Sequence, residues 1–350
     1  HLRAQSALIE GLFAAKPHLS VVAIGETLRK DLLLAAMRAS VRDFIAFDSD
    51  PMEIQDLLDR VLAKPPHPGG STTQGQLFAF LCGLPGPEAA TLAVHAALAL
   101  QERTPGEPGT LLLDLGVPST VSLLYLDLKP SYTFVDAARS VRRFDETLIK
   151  TAFVRHRSGL TVLPMPEGGI TNGQPVTVMD ALILLNTLKS YFSYIVVNLG
   201  GFELSDLLCQ ILGKSEQVIL MAEQSVLSCN ANKKLLDFLA VRDFPISKVG
   251  LVIDRYDPNI GLDTYDIAEL MSLPVLGTAP SNGMVRLNAM NTGRNIFDMA
   301  PKDSYARAVR GLTDKIANNG QQVRTFAKAS PASLWNRVRR SVSLRWEGAV

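Results

Sequence analysis

The sequence has few cysteines and histidines. Its 350 residues include three cysteines, Cys82, Cys209 and Cys229, which are far apart and show no C-x-x-C spacing. This number and spacing argue against a disulfide framework or a zinc site, and they indicate a reducing, cytoplasmic compartment. No histidine pairs with Asp or Glu at metal-ligand spacing, so we expect no bound metal.

Long apolar runs and an excess of charge are also missing. The best apolar candidates, such as Thr91 to Leu100, fall short of the roughly 20 residues that cross a bilayer. The formal net charge is +1, which gives no argument for nucleic acid as a partner. No signal peptide is visible. Because the sequence begins at His1 rather than at Met, we expect its first domain to be truncated.

Composition shifts divide the chain into four parts. In residues 1–64, a strand–helix–strand–helix order predicts a small parallel α/β segment, with Asp50 as the N-cap of its last helix. Residues 65–75 are rich in Pro, Gly, Ser and Thr and are predicted to be a linker. Residues 76–317 form the main domain, and residues 318–350 form a basic tail.

The main domain alternates apolar strand runs with helices, which predicts a doubly wound, mostly parallel α/β sheet. Ligands bind such sheets at the carboxyl ends of the strands. The expected functional positions are therefore those after Phe80, Leu113, Val197 and Ile253. The predicted strands of the whole chain are Val21–Ile24, Val41–Phe47, Gln76–Cys82, Thr110–Leu115, Leu160–Pro164, Tyr194–Leu199, Gln217–Ala222, Lys248–Ile253 and Val275–Thr278.

The turn after the first main-domain strand has the outline of a phosphate-binding loop. Residues 81–93 read LCGLPGPEAATLA, with Gly83 and Gly86 between a strand and a helix. A phosphate loop needs glycines that let backbone N–H groups turn inward, a lysine, and a Ser or Thr hydroxyl for Mg²⁺. Taken alone, the pattern is more typical of an ordinary strand-to-helix turn.

Motifs along the chain resemble one family. They are Thr91-Leu92-Ala93-Val94, Asp114, Leu126-Asp127-Leu128, Pro130, Asp136, Asp145-Glu146-Thr147-Leu148, HRSGLTVLPMPE at 156–167 and RYDP at 255–258. On these motifs the main domain resembles the MinD/ParA group of P-loop ATPases and, within it, the TadZ/CpaE pilus-assembly proteins. The first segment resembles the last half of a response-regulator receiver domain, in an atypical form that we expect to serve interaction rather than phosphorylation.

The resemblance implies which residues would contact a nucleotide and which have been replaced. The implied contacts are Gly83, Gly86, Thr91, Asp114, Asn198, Asp254 and Arg255. The replacements are Leu84 and Ala89 for lysines, Glu88 for a loop glycine, Ala90 for the metal-binding Thr, Gly116 for a second carboxylate, Asn198 for the Walker-B-type Asp and Asp254 for the Asn that reads adenine. Phosphoryl transfer relies on positioning and charge neutralisation. We therefore expect a degenerate nucleotide site without catalytic residues, and the replacements argue against ATP as a cofactor.

The resemblance further implies a role in pilus assembly. We expect a homodimeric localisation and scaffold protein of a tight-adherence (Flp-type) system, with the secretion ATPase and the inner-membrane platform of the pilus as partners. One alternative is an ATP-binding dimer switch or slow ATPase with an atypical loop. Another is a pseudo-enzyme subunit that pairs with an active paralogue.

Two further segments, Ser228-Cys229 and the basic tail, carry candidate functional residues. Ser228-Cys229 lacks the G-x-S-x-G pattern of a nucleophile, and a helix capped near Ser225 or Ser228 is the favoured interpretation. The tail has a basic, apolar pattern that suits an anionic membrane surface. Together with the family resemblance, this implies a cytoplasmic protein peripheral to the inner membrane at a cell pole. A disordered tail and a helix docked on the protein's own core are the alternatives. The tail residues concerned are Trp335, Arg337, Arg339, Arg340, Arg345 and Trp346.

Overall fold

The chain divides into two compact units, His1–His67 and Pro68–Val350. The computed structural model describes residues 22–25, 43–47, 49–62, 74–106, 108–119, 121–141, 146–167, 176–281 and 283–318. The basic tail from residue 319 onwards, with its two tryptophans and its arginines, lies outside the described residues. Within them, no helix has both the length and the apolar character needed to span a bilayer.

In the first unit two parallel strands precede a helix. Strand β1 (Val22–Gly25) pairs with β2 (Asp43–Ala46), and helix α1 covers Pro51–Leu62. Both strands lie within a few residues of the predicted ones. The helix predicted between these two strands falls outside the described residues.

Helix α1 begins where the sequence predicts it. The Asp50 carboxylate accepts a hydrogen bond from the Met52 backbone N–H at 2.8 Å, which satisfies a donor that the first helical turn would otherwise leave free. Ile45 on β2 and Leu57 on α1 are buried and form a small core, against which Val22 and Ile54 pack. The apolar side chains Ile54 and Leu57, three residues apart on the helix, thus face the two-stranded sheet.

The second unit is an eight-stranded sheet with helices on its faces. Its strands are β3 (Gln76–Cys82), β4 (Thr110–Asp114), β5 (Val154–Arg155), β6 (Thr161–Pro164), β7 (Tyr194–Gly200), β8 (Gln217–Glu223), β9 (Val249–Tyr256) and β10 (Val275–Pro280). Its helices are α2 (Pro87–Arg103), α3 (Val121–Leu126), α4 (Phe134–Arg139), α5 (Glu146–Ala152), α6 (Val178–Tyr191), α7 (Asp206–Gly213), α8 (Val226–Val241), α9 (Thr264–Met271), α10 (Gly283–Asn291), α11 (Ile296–Met299) and α12 (Ser304–Asn318).

The strand order is β10-β9-β8-β3-β7-β4-β6-β5, and every pairing is parallel except that of β5 with β6. The predicted doubly wound, mostly parallel α/β sheet is therefore confirmed. The central strands are mostly apolar and are buried along nearly their whole length, because helices cover both faces. The two-residue strand β5 at the edge was not predicted, since so short a segment carries no periodic pattern.

Helix α2 lies in the middle of the core. Residues 89 to 101 of this helix are all buried. One of them is His95, which has no exposed surface. Its Nδ1 lies 2.7 Å from the Thr91 carbonyl oxygen, and its Nε2 accepts a hydrogen bond from the Ile296 N–H at 2.9 Å. A neutral ring satisfies both contacts, and the histidine thereby joins α2 to the start of α11.

Burial lowers the pKa of His95 to about 4. The unfolded chain takes up a proton near the ordinary value of about 6.5, so the stability that neutral His95 contributes is present above that pH and is lost as the pH falls. The difference corresponds to roughly 3 kcal/mol by pH 4. We expect the unfolding free energy to fall more steeply between pH 7 and pH 4 in the parent protein than in His95→Gln. Urea titrations across this range test it, and parallel pH profiles would contradict it.

Candidate nucleotide site

The carboxyl ends of the central strands meet at one edge of the sheet. Strands β4, β7, β3, β8 and β9 are neighbours in that region, so the segments after them converge. All seven residues implied to contact a nucleotide lie on these segments or on α2. The structure brings them into three groups: the loop after β3 with the start of α2, the pair Asp114 and Asn198, and the two residues near the end of β9.

In the loop between β3 and α2, the backbone N–H groups of both glycines donate hydrogen bonds to other segments of the chain. The Gly83 N–H donates to the Asn232 side-chain oxygen at 2.8 Å, and the Gly86 N–H donates to the Val117 carbonyl at 3.0 Å. Pro85 and Pro87 have no N–H to offer. Both glycine N–H groups, which in a phosphate loop would point towards the ligand, are therefore bonded within the chain.

Neighbouring segments pack tightly on this loop. A Cβ placed on Gly83 would lie 2.6 Å from the Ala231 carbonyl carbon on α8. On the other side, Gly201 has φ +65, and a Cβ there would lie 2.5 Å from the Pro85 Cα. The Gly83 contact therefore requires glycine for close approach, and Gly201 requires it for both approach and conformation. The loop is clamped between the start of α8 and the turn after β7.

The first turns of α2 are buried rather than open. Ala89 and Ala90 are nearly inaccessible, and a Cβ on Gly200 would lie 2.5 Å from that of Ala89. The Thr91 hydroxyl donates to the Pro87 carbonyl at 2.7 Å and lies 3.2 Å from the Tyr125 hydroxyl. Thr91, although retained in sequence, thus has its hydroxyl engaged inside the fold.

Asp114 ends β4 and is completely buried. Its Oδ1 accepts a hydrogen bond from the Asn198 side-chain amide at 2.6 Å and a longer one from the Gly116 N–H at 3.4 Å. Its Oδ2 accepts one from the Ser122 hydroxyl on α3. Burial raises the pKa of Asp114, and the three donors partly offset that effect. Both carboxylate oxygens are thus occupied by partners within the chain.

Asn198 and Gly116 fit each other sterically. The Asn198 amide oxygen accepts the Gly200 N–H at 3.1 Å, while its amide nitrogen donates to Asp114. A Cβ on Gly116 would lie 2.3 Å from that amide nitrogen. A larger side chain at position 116, such as the second carboxylate that the resemblance implies, would therefore collide with Asn198. Gly116 and Asn198 thus depend on each other sterically.

Asp254, near the end of β9, forms a buried ion pair with Arg286 of α10. The two guanidinium nitrogens lie 2.7 and 2.6 Å from the two carboxylate oxygens, and the side chains are 1% and 8% exposed. Burial alone would lower the pKa of Arg286, but the bonds to Asp254 outweigh it and raise that pKa. The Arg286 guanidinium also lies 4.1 Å from the ring centre of Tyr305. Both edges of the Asp254 carboxylate are therefore engaged.

Arg255, the next residue, points towards the start of α2. Its guanidinium lies 2.9 Å from the Glu88 carboxylate and 3.6 Å from that of Glu223. Its backbone has φ +50, a left-handed conformation that is uncommon for arginine. Burial raises the pKa of Glu223, and Arg255 opposes this. One half-exposed cation thus lies between two carboxylates.

The serine and cysteine side chains at the start of α8 have structural roles. The Ser225 side chain accepts the Ser228 N–H and caps α8, while the Ser228 hydroxyl accepts the Glu223 N–H at 3.0 Å. Burial raises the pKa of the Cys229 thiol to about 11, so the thiol is not activated. Among the residues that the structure describes, no group of three His, Cys, Asp or Glu side chains could hold a metal ion.

The partners that complete the site were not predicted from the sequence. Asn232 bonds to a glycine 149 residues away, and Arg286 pairs with a residue 32 positions away. Ser122 is only 8 residues from Asp114, but no motif marks it. Glu88 was identified as standing in place of a loop glycine, yet its pairing with Arg255 had no local signal.

Comparisons with known proteins find similarity in both units of the chain. Residues 1–74 match the model described as pilus assembly protein TadZ N-terminal. A ParA family ATPase from Chlorobium tepidum superposes with a TM-score of 0.63 at 19% identity, covering 69% of this chain and 99% of that one. The MinC:MinD cell division protein complex of Aquifex aeolicus gives a TM-score of 0.58 at 15% identity, with 72% and 100% covered. No match is found among the curated proteins.

A third similar structure is the septum site-determining protein MinD of Pyrococcus horikoshii, complexed with Mg-ADP. Its TM-score is 0.52 at 16% identity, covering 71% of this chain and 100% of that one. The second unit therefore has the fold of the MinD/ParA ATPases. The first 74 residues of the chain are similar to the N-terminal region of the TadZ pilus assembly proteins.

The Asp114–Asn198 contact gives a direct test of this site. In Asn198→Asp, a second buried carboxylate replaces the amide donor, and we expect a loss of about 3–5 kcal/mol of unfolding free energy at neutral pH. The pair would share a proton, so its folded-state pKa is raised and the lost stability returns as the pH falls.

Asn198→Ala is the matched control, because it removes the donor without adding charge. Its loss at neutral pH is about 1–3 kcal/mol, and it should recover less as the pH falls, because one carboxylate has lost a donor rather than two carboxylates being in contact. Denaturant titrations at neutral and acidic pH separate the two variants. An Asn198→Asp protein as stable as the parent at neutral pH, or one with a deficit independent of pH, would contradict the observed geometry.

Proposed function

We propose that this protein is a localisation and scaffold protein of a tight-adherence (Flp-type) pilus-assembly system and that it works without hydrolysing ATP. The TadZ match of the first 74 residues and the MinD/ParA fold support the pilus role. The observation that carries the second half is that the polar groups at the strand ends are bonded within the chain. Gly83, Gly86 and both oxygens of Asp114 already have partners.

The residues at this edge do not fit Mg-ATP. With Leu84 and Ala89 in place of lysines, neither position supplies a cation for the phosphates. With Ala90 and Asn198, the metal lacks a hydroxyl and a carboxylate ligand. Phosphoryl transfer needs positioning and charge neutralisation together. We therefore infer that these residues do not serve ATP hydrolysis. Accordingly, we assign no catalytic role to any of these residues.

Homodimerisation through the same edge is supported by exposed apolar side chains there. Val117, Leu204, Leu227 and Met284 follow β4, β7, β8 and β10 respectively, and they are 47%, 44%, 68% and 70% exposed. Apolar side chains gathered at one edge of a domain favour a protein partner. The proposed dimer would leave other faces for the secretion ATPase and the inner-membrane platform. The proposed location is the cytoplasmic side of the inner membrane at a cell pole.

The competing function is an ATP-binding dimer switch or a slow ATPase. The observation that favours it is the likeness to MinD complexed with Mg-ADP, together with a half-exposed Arg255 at the same edge. In this alternative, binding would have to break the Arg255–Glu88 pair and free the loop donors. The two functions therefore differ in a measurable property, nucleotide affinity.

For the proposed function we expect no saturable heat on titrating ATP, with or without Mg²⁺, and no phosphate release above a blank without protein. The reason is that Leu84, Ala89 and Ala90 supply neither a cation nor a metal ligand, and that the Gly83 and Gly86 N–H groups are already bonded within the chain. Calorimetry and a phosphate-release assay on the full chain measure this. Release that scales with purified protein and disappears in Asp114→Asn would reject the scaffold proposal in favour of the ATPase.

The basic tail gives a second test of the proposed location. Residues 321–350 contain six basic side chains and one acidic one. Each Lys or Arg near an anionic bilayer contributes about 1 kcal/mol, and Trp adds interfacial anchoring. We expect deletion of residues 330–350 to release the protein from anionic vesicles at low salt, with little change in the thermal midpoint.

Replacing Arg337, Arg339, Arg340 and Arg345 by glutamine, with both tryptophans kept, is the control that separates charge from hydrophobic anchoring. Its binding to anionic vesicles should weaken and lose its salt dependence. Co-sedimentation with vesicles is the measurement. A truncated protein that still sediments with anionic vesicles, or one that unfolds, would remove the membrane role of the tail.

A further inference from the structure

Strand β10 is the last strand on one side of the eight-stranded sheet. Among the described residues it pairs with β9 alone. Val275 to Thr278 and Pro280 are partly exposed, whereas β4 and β7 inside the sheet are almost entirely buried. A strand in this position directs alternate backbone N–H and C=O groups away from its neighbour. The β10 edge therefore offers backbone partners to an added strand.

A groove of about 340 Å³ lies between β10 and helix α12. Gly277 on β10 and Gly311 on α12 both line it, and a Cβ added to either glycine would meet no atom within 4 Å. The buried side chains of Leu92 and Val252 also line the groove and make part of its wall apolar. Space for a side chain is thus available beside the β10 edge.

The two charged side chains among the described residues that line this groove are both basic. Arg307 and Lys315 are exposed on α12, and the Lys315 ammonium donates to the Leu276 carbonyl oxygen at 2.8 Å. Lys315 lies eight positions after Arg307, with Gly311 midway, so the two are about 12 Å apart along the helix. These charges disfavour the chain's own basic tail and a second copy of the β10 edge, because each would add further positive charge. They favour carboxylates.

We propose that the β10 edge and the groove beside it bind an acidic, extended segment of a partner protein, which adds a strand to the sheet. Alternate side chains of a strand lie on one face, and residues four positions apart are separated by about 13 Å. A segment with the pattern Glu-x-Val-x-Glu would thus place its carboxylates at Arg307 and Lys315 and its valine beside Gly311. This deepens the proposed scaffold function and rests on it, since it gives the chemistry of one partner.

The probe is a capped, fluorescein-labelled peptide of sequence TETVTET. It reads the same in both directions, so the spacing of its glutamates does not depend on its orientation along β10. We expect its fluorescence anisotropy to rise saturably as the full chain is added at low ionic strength. Glutamine in place of both glutamates should weaken binding about tenfold, because two exposed ion pairs are lost. N-methylation of two adjacent central residues should abolish binding, because one of the two lost donors would face β10.

Variants of the protein test the same surface. Arg307→Glu/Lys315→Glu should bind the peptide about tenfold more weakly than the parent protein does. Gly311→Leu fills the groove and should weaken binding as well. Its thermal midpoint should not fall, because leucine favours a helix more than glycine does. The matched control is Lys233→Glu/Lys234→Glu on α8, which changes the net charge equally outside the groove and should bind like the parent.

Any other result rejects the proposal. If the full chain does not bind the peptide, the β10 edge is not open to an acidic strand, whether the tail, a second copy or nothing covers it. Equal binding of the glutamine peptide or of the N-methylated peptide would show that charge or backbone pairing plays no part. A charge control as weak as the Arg307→Glu/Lys315→Glu protein would show that net charge alone attracts the peptide.

A Gly311→Leu protein that binds like the parent would likewise exclude the groove. If the double charge reversal lowers the thermal midpoint, Arg307→Gln/Lys315→Gln removes both charges without reversing them and takes the same test. The proposed function would fail instead through ATP hydrolysis by the parent protein, which the phosphate-release assay measures without the peptide.

Discussion

The hydrogen bond from the Asn198 amide to the Asp114 carboxylate determines what this edge of the sheet can do. A fully buried carboxylate is costly unless donors surround it. Here Asn198 and Ser122 supply them from β7 and α3. An aspartate at position 198 would put two carboxylates in contact, and a side chain at Gly116 would displace the amide. Asp114, Asn198 and Gly116 thus depend on one another sterically and through their hydrogen bonds.

The polar groups in the other two parts of the site also have partners within the chain. The loop donors that would face phosphate bond to Asn232 and Val117. The Asp254 carboxylate at the end of β9 is bound by Arg286. In each case a group that could serve a ligand has a partner from another element of the same chain. Such contacts rigidify the edge and leave its exposed apolar side chains as the surface available to partners.

The sequence was informative about the fold because each central strand contains a run of apolar residues. Strand β3 was predicted with its observed ends, and β9 was underestimated by three residues because Asp254, Arg255 and Tyr256 end its apolar run. The replaced positions in the loop could also be read from the sequence, since they follow a strand. Their new partners could not be, because Asn232 and Arg286 are distant along the chain and become neighbours only when the sheet forms. The two-residue strand β5 gave no pattern at all.

The most direct measurement of the central claim is amide hydrogen exchange at Gly83 and Gly86. If the loop donors are bonded to Asn232 and Val117, both amides exchange slowly in the protein without ligand. Their rates then stay the same when Mg-ATP is added. Fast exchange without ligand, followed by protection that appears only with Mg-ATP, would contradict the claim and identify a functioning phosphate loop.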